Sequence, residues 1–457
     1  MKVAVTGAAG QLGTQLLQRL VAERSVSEIV ALDLQPPLLS AGKLKFVRAD
    51  VRDPQLGTHL AGCDALVHLA FVVARRAARP LHDDINVNGS KNVFRAALAA
   101  GVRRIVYASS VAAYGVVEGH PKPIVESTPR IRQPDFWYAA AKFDVEAHLD
   151  ELERANPEVA FVRFRPAILI GRRMEHRLGV ALRKGVLPDL GTPDLPIVWD
   201  EDVADAFLIA LQTKPGAVSS GEVRGAFNLC ARELTGAAGL AQEAGVRHLR
   251  VSPFVAAFLK GAEELLARLR FFAPMDPGWL GSPKVALDYS SEKALSPALG
   301  WKPRYPTARA VMRRWGEVVP RKLDRRLAMT LRMVNLTPAR DDLQGSALTV
   351  HLDLTGARGG DYTLRLADRR LRARKGLPRP ADARVELPAA LFLELLAGKG
   401  DFSSAQMTGK VRVFGQPMAA LVVQGIITGL RAAGGLPGAR GAIGRAFTRY
   451  LTKGSTP

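Results

Sequence analysis

Apolar positions in this chain come in short runs whose spacing switches between two periods. Lys2-Val3-Ala4-Val5-Thr6 reads as a strand, and Leu16, Leu17, Leu20 and Val21 recur at helical spacing just after it. Between them lies Gly7-Ala8-Ala9-Gly10-Gln11-Leu12-Gly13, a glycine-rich turn. Further strand-like runs follow at Glu28 to Leu32, Leu44 to Val47, Ala65 to Ala70, Arg104 to Ala108 and Phe161 to Pro166. Strands alternating with helical stretches predict an α/β fold built on a doubly wound parallel sheet. Beyond a basic helical stretch from Arg321 to Val334 the pattern changes. Ser346 to Leu354 alternates with period two, Thr355 to Gly360 is a turn, and Asp361 to Leu366 returns as the second arm of a hairpin. Ala383 to Leu387 is another strand. Pro388 opens a helix over Ala389 to Leu396 that stops at Gly398, with proline at the start and glycine past the end. Gly409 to Gly415 is a last strand and Pro417 to Leu430 a closing apolar helix, which predicts an α+β domain after the α/β one.

The first turn carries chemistry. A strand, a glycine-rich turn and a helix N-terminus present bare backbone N–H groups and a helix dipole to a pyrophosphate. Gly7, Gly10 and Gly13 permit the tight turn and the close approach, with Gln11 and Leu12 between them. Asp33 ends the second strand, 20 residues past Gly13, where a carboxylate accepts from ribose hydroxyls and repels a 2′-phosphate. NAD rather than NADP is therefore the expected cofactor. Asp50 and Val51, after the third strand, are candidates for the adenine edge. Tyr138 and Lys142 lie four residues apart, so on a helix a phenol and an ammonium share one face. A free phenol has a pKa of about 10; a fixed positive charge nearby is expected to lower it and suit it to acid–base work.

With these motifs in order, the chain resembles the extended short-chain dehydrogenase/reductase family over roughly residues 1–315, the group that includes nucleotide-sugar epimerases and 3β-hydroxysteroid dehydrogenases. The resemblance implies a Rossmann-type sheet with a small substrate lobe, and roles for further residues. Leu69-Ala70 stands where the family lines the cofactor. Asn86-Val87-Asn88-Gly89 is similar to the family's Asn-Val-x-Gly, which makes Asn86 the residue steadying a proton-relay water behind the lysine. Ser110, four before Tyr114, matches the catalytic hydroxyl that orients the substrate oxygen while Tyr138 moves the proton. Lys142 is then also a ligand of the nicotinamide ribose. Pro166, with Ile168 in the loop after it, falls beside the nicotinamide. The segments Val198 to Ala206 and Leu299 to Pro303 are similar to two late landmarks of the same family.

Departures from the pattern narrow the branch. Ser110 is followed by Val111-Ala112 where sugar-nucleotide dehydratases carry an acidic pair, so dehydration is set aside. Ile168 stands where many sugar-nucleotide members place an asparagine for the diphosphate, which favours an apolar, steroid- or lipid-like hydroxyl substrate.

The last third resembles the sterol carrier protein type 2 family over roughly residues 340–430. The matching pieces are Asp361-Tyr362-Thr363-Leu364, Ala381 to Val385, Leu395 to Lys399 and Met407 to Val411. That resemblance implies a small sheet covered by helices around an apolar tunnel for an acyl chain or sterol. Phe392, Leu395, Leu396, Phe402, Met407, Met418, Leu421 and Val422 are its candidate lining residues.

Composition adds setting. The 457 residues include 64 Lys+Arg and 43 Asp+Glu, a net charge of +21. Residues 321–457 hold 23 basic and 10 acidic residues (+13), and the first 320 hold 41 and 33 (+8). The smaller part thus holds most of the excess, which suits peripheral contact with an anionic membrane or an acyl-CoA phosphate. Nucleic acid is not an expected partner, because interleaved stacking aromatics and nucleic-acid motifs are missing. Cys63 and Cys230 sit in apolar contexts and suggest a reducing, cytoplasmic setting. No His/Cys/Asp/Glu cluster has metal-ligand spacing, and His68 and His148 read as packing or surface residues. No uninterrupted apolar run reaches about 18 residues, and the N-terminus enters its strand at once, so neither a membrane span nor a signal peptide is expected. Phe254, Phe258, Leu265, Leu269 and Phe272 recur at helical spacing, as a lid over the substrate lobe or as packing onto it. The expected layout is residues 1–320, a linker helix at 321–339, a lipid-binding domain at 340–431 and a basic tail at 432–457. The tail reads either as a weak interfacial helix or as disordered chain; a homodimer stays open. The functional expectation is an NAD-dependent dehydrogenase supplied with a poorly soluble substrate by its second domain. A nucleotide-sugar epimerase using Ser110, Tyr138 and Lys142, or a lipid carrier that only senses NAD, are the alternatives.

Overall fold

A computed structural model describes residues 1–73, 79–174, 177–189, 194–212, 223–252, 288–321, 347–368, 370–377, 380–416 and 418–432, together with residues 327, 331, 334 and 335. The chain divides into two compact units, Met1–Pro37 with Lys43–Trp315, and Leu38–Gly42 with Gly316–Pro457.

The first unit is built on seven parallel strands: β1 (Lys2–Thr6), β2 (Glu28–Asp33), β3 (Leu44–Arg48), β4 (Ala65–His68), β5 (Arg104–Ala108), β6 (Ala160–Pro166) and β7 (Gly225–Leu229). Their order is β7-β6-β5-β4-β1-β2-β3. Strands covered on both faces read as nearly continuous apolar runs, and β4 and β6 are buried along their whole length. Alternation still sorts the side chains. Val3, Val5, Ile29 and Ala31 join one core cluster, while Ala4, Val30 and Leu32 join another. Helices α1 (Gln11–Ala22) and α4 (Asp200–Gln212) cover the first face through Leu16, Leu20, Val203 and Phe207. Helices α2 (Gly89–Ala99) and α3 (Trp137–Ala155) cover the other through Val93, Phe94, Val145 and Leu149. The strand order reverses between β1 and β4, which opens a crevice at the C-terminal strand ends.

Two short parallel pairs, Ile168–Ile170 with Ile197–Trp199 and Val186–Asp189 with Arg247–Arg250, lie outside this sheet. The two late landmarks meet there: Trp301 is buried and its indole N–H donates to the Asp202 carbonyl at 2.7 Å. The proposed lid at Phe254 to Phe272, most of the linker and the basic tail fall outside the described residues.

The second unit holds a five-stranded sheet of β8 (Leu348–Thr355), β9 (Gly360–Ala367), β10 (Arg370–Lys375), β11 (Ala383–Pro388) and β12 (Arg412–Gly415), in the order β10-β9-β8-β11-β12. Only β8 and β11 run parallel to each other. Val350, Leu352, Leu354, Leu364 and Val385 pack against α5 (Ala389–Leu396), α6 (Phe402–Met407) and α7 (Met418–Ala432) in one cluster. The opposite face buries ions in a chain. Arg384 donates to Asp353 at 2.5 Å and to Glu386 at 2.9 Å, and Arg412 also pairs with Glu386.

The hairpin of β8 and β9 and the helix after Pro388 match expectation, whereas β7 and the arginine-rich edge strand β10 were not foreseen. Leu364 is fully buried in the centre of the second core. Leu364→Ala should therefore cost about 2–5 kcal/mol of that unit's stability, read as a lower urea midpoint by circular dichroism.

Candidate active site

The glycine loop is shaped by backbone contact. Gly7 has φ +69°, and a Cβ there would stand 2.5 Å from the Ala70 nitrogen. A Cβ at Gly13 would stand 2.4 Å from the Gly7 carbonyl oxygen. Only glycine lets the loop settle against Leu69-Ala70 beyond β4 and the first turn of α1 settle against the loop. Gly10 starts the helix, accepting from Thr14 N at 2.9 Å, and Leu12 turns into the core. Asp33 ends β2 beside the loop, its carboxylate accepting from Ala9 N at 3.0 Å and Gln35 N at 3.1 Å. Helix-start N–H groups with no partner among the described residues, next to a carboxylate at the tip of β2, fit a dinucleotide: pyrophosphate on the loop, ribose on Asp33. Asp50 is committed to Arg52, at 2.7 Å, which holds its carboxyl below the usual range. Val51 packs where a Cβ on Gly89 would meet it at 2.6 Å. Pro166 closes β6 opposite Leu229, and Ile168 opens the next strand pair, half-buried.

Tyr138 and Lys142 share one face of α3 and are both buried. The Lys142 ammonium donates to the Ala108 carbonyl at 2.6 Å and the Tyr107 hydroxyl at 3.2 Å. Three rings surround it, with centroids 3.5 Å (Phe71), 4.7 Å (Tyr107) and 5.7 Å (Tyr138) away. Ser110 starts a short 3₁₀ turn, Val111–Tyr114, and its hydroxyl accepts from Ala112 N at 3.1 Å. The phenol does not behave as the Tyr–Lys spacing alone predicts. Burial pushes the Tyr138 hydroxyl up to about 12, and a hydrogen bond with Ser110 offsets only part of that. Burial likewise drives the Lys142 ammonium well below its ordinary range, against the pull of Glu146. Four-residue spacing sets the neighbour; desolvation sets the acidity.

Comparison with known proteins bears on this arrangement. Residues 3–229 match the model of the NAD dependent epimerase/dehydratase family. That stretch is similar to the family over just under half of the chain. Residues 332–428 match the SCP-2 sterol transfer family. An uncharacterized protein of Mycobacterium tuberculosis is 28% identical over 231 residues, covering 48% of this chain and 61% of its own length. An N-acetyl-alpha-D-glucosaminyl-diphospho-ditrans,octacis-undecaprenol 4-epimerase of Escherichia coli O157:H7 is 34% identical over 180 residues, 37% of this chain and 50% of its own. The chain thus spans little more than half the length of these relatives. Among solved structures, a UDP-glucose-4-epimerase from Stenotrophomonas maltophila with bound NAD aligns at 19% identity and TM-score 0.53, over 69% of this chain and 98% of its own. A UDP-galactose 4-epimerase aligns at 23% identity and TM-score 0.51, over 68% and 97%. Both likenesses show the fold.

Around this core, Asn86 and His68, both noted in the sequence, act as supports, and Glu146 is a support the sequence reading missed. Asn86 sits in a π-helical turn, Asp84–Asn88, and its amide clasps the Val72 backbone, accepting from N at 2.8 Å and donating to O at 2.9 Å. Its side chain therefore fixes the segment that carries Phe71. His68 is buried between Thr6 and Ser90, 2.6 and 2.9 Å away, and stacks on Tyr107. Because Ser90 donates to the Asn86 carbonyl at 2.5 Å, it accepts from His68 Nε2, and Thr6 donates to Nδ1. Burial drives this imidazole down to about 3, so it is a neutral packing residue. Glu146, one turn beyond Lys142, is fully buried between Arg165 and Arg130 and also accepts from Ser109. Those cations hold its carboxyl down at about 2 despite burial. An acid four residues past the lysine, with an arginine inside a buried strand, was the signal available for it.

The lipid candidates divide. Phe392, Leu395, Leu396 and Phe402 lie in the second core. Met407 is 89% exposed, Met418 57% and Leu421 60%, and Val422 is half-buried. Val422 packs against the rim of that core, whereas Met407 at the end of α6 and Met418 and Leu421 on α7 face outward, α7 turning Ala419, Val423, Ile426 and Ile427 inward.

Asp200 is the least expected group. It starts α4, accepts from the Gln11 amide at 2.9 Å, and leaves no space for a Cβ at Gly171, which would stand 1.9 Å away. Its second oxygen is buried with no hydrogen-bond partner among the described residues. Burial and then Glu201 push its carboxyl up to about 7, with Gln11 and Arg19 opposing. The folded protein thus holds this proton more tightly than the unfolded chain, whose aspartate titrates near 3.8. The carboxylate costs stability as pH rises from about 4 to about 7, and the cost stays constant above that. Asp200→Asn should melt at a higher temperature than wild type at pH 8 and at nearly the same temperature at pH 4, compared by calorimetry.

Proposed function

We propose that the chain is an NAD-dependent oxidoreductase acting at a hydroxyl- or keto-bearing carbon of a lipid-like substrate, with the second unit as a lipid-binding domain. One observation carries the reading. Leu69-Ala70 floors the glycine loop, and the next residue, Phe71, stands against both Tyr138 and Lys142, with its ring 5.6 Å from the tyrosine ring. Dinucleotide cradle and acid–base pair are joined by three consecutive residues.

Bound NAD would supply the hydride acceptor or donor. Asp33 and the loop of Gly7, Gly10 and Gly13 would hold it, with Gln11 and Leu12 starting the helix and Pro166 and Ile168 at the nicotinamide end. Asp50 and Val51 stay as adenine-edge candidates. Tyr138 exchanges the proton with the substrate oxygen, Ser110 orients that oxygen, and Lys142 supplies positive charge beside both. A phenol at about 12 is protonated at neutral pH, which suits it to donate to a ketone. In the reverse direction the adjacent ammonium has to offset the desolvation. Asn86 supports this pair through the Phe71 segment.

The substrate class rests on Ile168, the SCP-2 match and the apolar residues Phe392, Leu395, Leu396 and Phe402. A second reading, epimerisation of a lipid-linked sugar, draws on the relative named for an undecaprenol-linked sugar. Soluble NADH accumulating in step with product supports the dehydrogenase; conversion without it supports the epimerase.

Tyr138→Phe keeps the ring and removes the proton carrier. It should lower turnover by roughly 10²–10⁴-fold while NAD binding, followed by calorimetric titration, stays near wild type. Normal turnover in that variant would defeat the assignment, and turnover that vanishes with the hydroxyl excludes a domain that merely senses NAD.

A further inference from the structure

The outer face of β9 and β10 carries four arginines with little opposing charge. Arg365 on β9 pairs directly across from Arg372 on β10, and Arg370 and Arg374 continue the row at alternate positions. All four are exposed, whereas Leu364 and Leu366 are buried and Leu371 and Ala373 pack against the second core. Strand alternation therefore turns these four arginines outward. Like charges directly across a strand pair repel. Among the described residues none of the four forms an ion pair; Asp368 lies in the connecting turn and Asp361 stands near the start of β9 on the same face, while Asp353 and Glu386 further along that face pair with Arg384 and Arg412. Arg365, Ala367, Asp368, Arg370 and Arg372 line a recess of about 320 Å³.

Spacing and composition narrow what could neutralise this row. Alternate residues on a strand stand roughly 7 Å apart, so Arg370, Arg372 and Arg374 form a line of roughly 13 Å. That layout meets several phosphates in a plane better than it meets one. Asp361, Thr363 and Ala367 complete the β9 face, with Tyr362 turned into the core. With no aromatic platform for bases, single-stranded nucleic acid is disfavoured.

We propose that the arginine face of β9 and β10 is the surface by which the second unit docks on an anionic lipid bilayer, gripping headgroup phosphates. This rests on the reading of that unit as a lipid-binding domain and names its partner. Contacts of this kind are electrostatic and weaken as salt rises.

The test uses the full chain and sedimentation with phosphatidylcholine vesicles, with and without phosphatidylglycerol. Wild type should bind only the anionic vesicles. The variant Arg365→Ser/Arg370→Ser/Arg372→Ser should bind them on the order of 100-fold more weakly. The matching triple lysine variant keeps the charge and should stay within a few-fold of wild type. Arg372→Ser alone relieves the repulsion across the strands, so it should melt no lower than wild type and still bind measurably less. This single change decides the matter if the triple variant folds poorly. Wild-type affinity in the serine variants, or equal binding to phosphatidylcholine alone, overturns the proposal. So does displacement of wild type from vesicles by free inorganic phosphate or coenzyme A at micromolar concentration, or by single-stranded RNA. Vesicle binding needs no turnover, so its outcome is separate from that of Tyr138→Phe.

Discussion

A buried ammonium must be surrounded by oxygen, π-faces or countercharge, and the first unit is organised around meeting that demand for Lys142. The Ala108 carbonyl and Tyr107 hydroxyl accept from it, and Phe71 covers it. Glu146 one turn along the helix offers the countercharge. That acid would itself be untenable at full burial without Arg165 and Arg130. Arg165 reaches on to Tyr114 at 2.7 Å, and Tyr114 to Asn228 at 2.8 Å. Helix α3 is thus joined to β6 and β7 by the run Glu146–Arg165–Tyr114–Asn228, and to β5 through Lys142. Shifting any one of these elements would strand a charge in the interior.

The frame was legible from residues because buried parallel strands leave long apolar runs and the cofactor turn demands glycine at fixed places. Asp33 followed from its place at the end of the second strand, Tyr138 and Lys142 from their four-residue spacing, and Ser110 from the family resemblance alone. What could not be read was burial. It reverses the expected shift of the Tyr138 phenol, raises the Asp200 carboxyl, and makes Phe71 part of the lysine's environment, although in the chain it is one aromatic residue after a strand. Likewise α7 has apolar residues on two sides. Periodicity alone cannot say that Met418 and Leu421 meet solvent while Val423 and Ile427 meet the sheet.

The second unit shows the same limit at its edge. A strand of alternating Arg370, Arg372 and Arg374 looks like a solvated loop by composition, yet Leu371 and Ala373 between them are enough to fasten it to the core. Further along the same face of the sheet, Asp353, Arg384 and Glu386, paired inside, were also hidden, since charged side chains in a strand usually signal exposure. Both cases turn on partners brought together by pairing register.

Strand β10 is the last strand on one margin of its sheet, where backbone N–H and C=O groups would ordinarily invite another strand to join; the Asn335 amide takes up those of Ala373 at its middle, 2.6 and 3.0 Å away. A picket of guanidinium groups makes the approach of an identical margin repulsive. Self-association by continuing the sheet is therefore opposed on that side, and any ribbon-like pairing of two copies would have to begin at the far margin, along Arg412–Gly415.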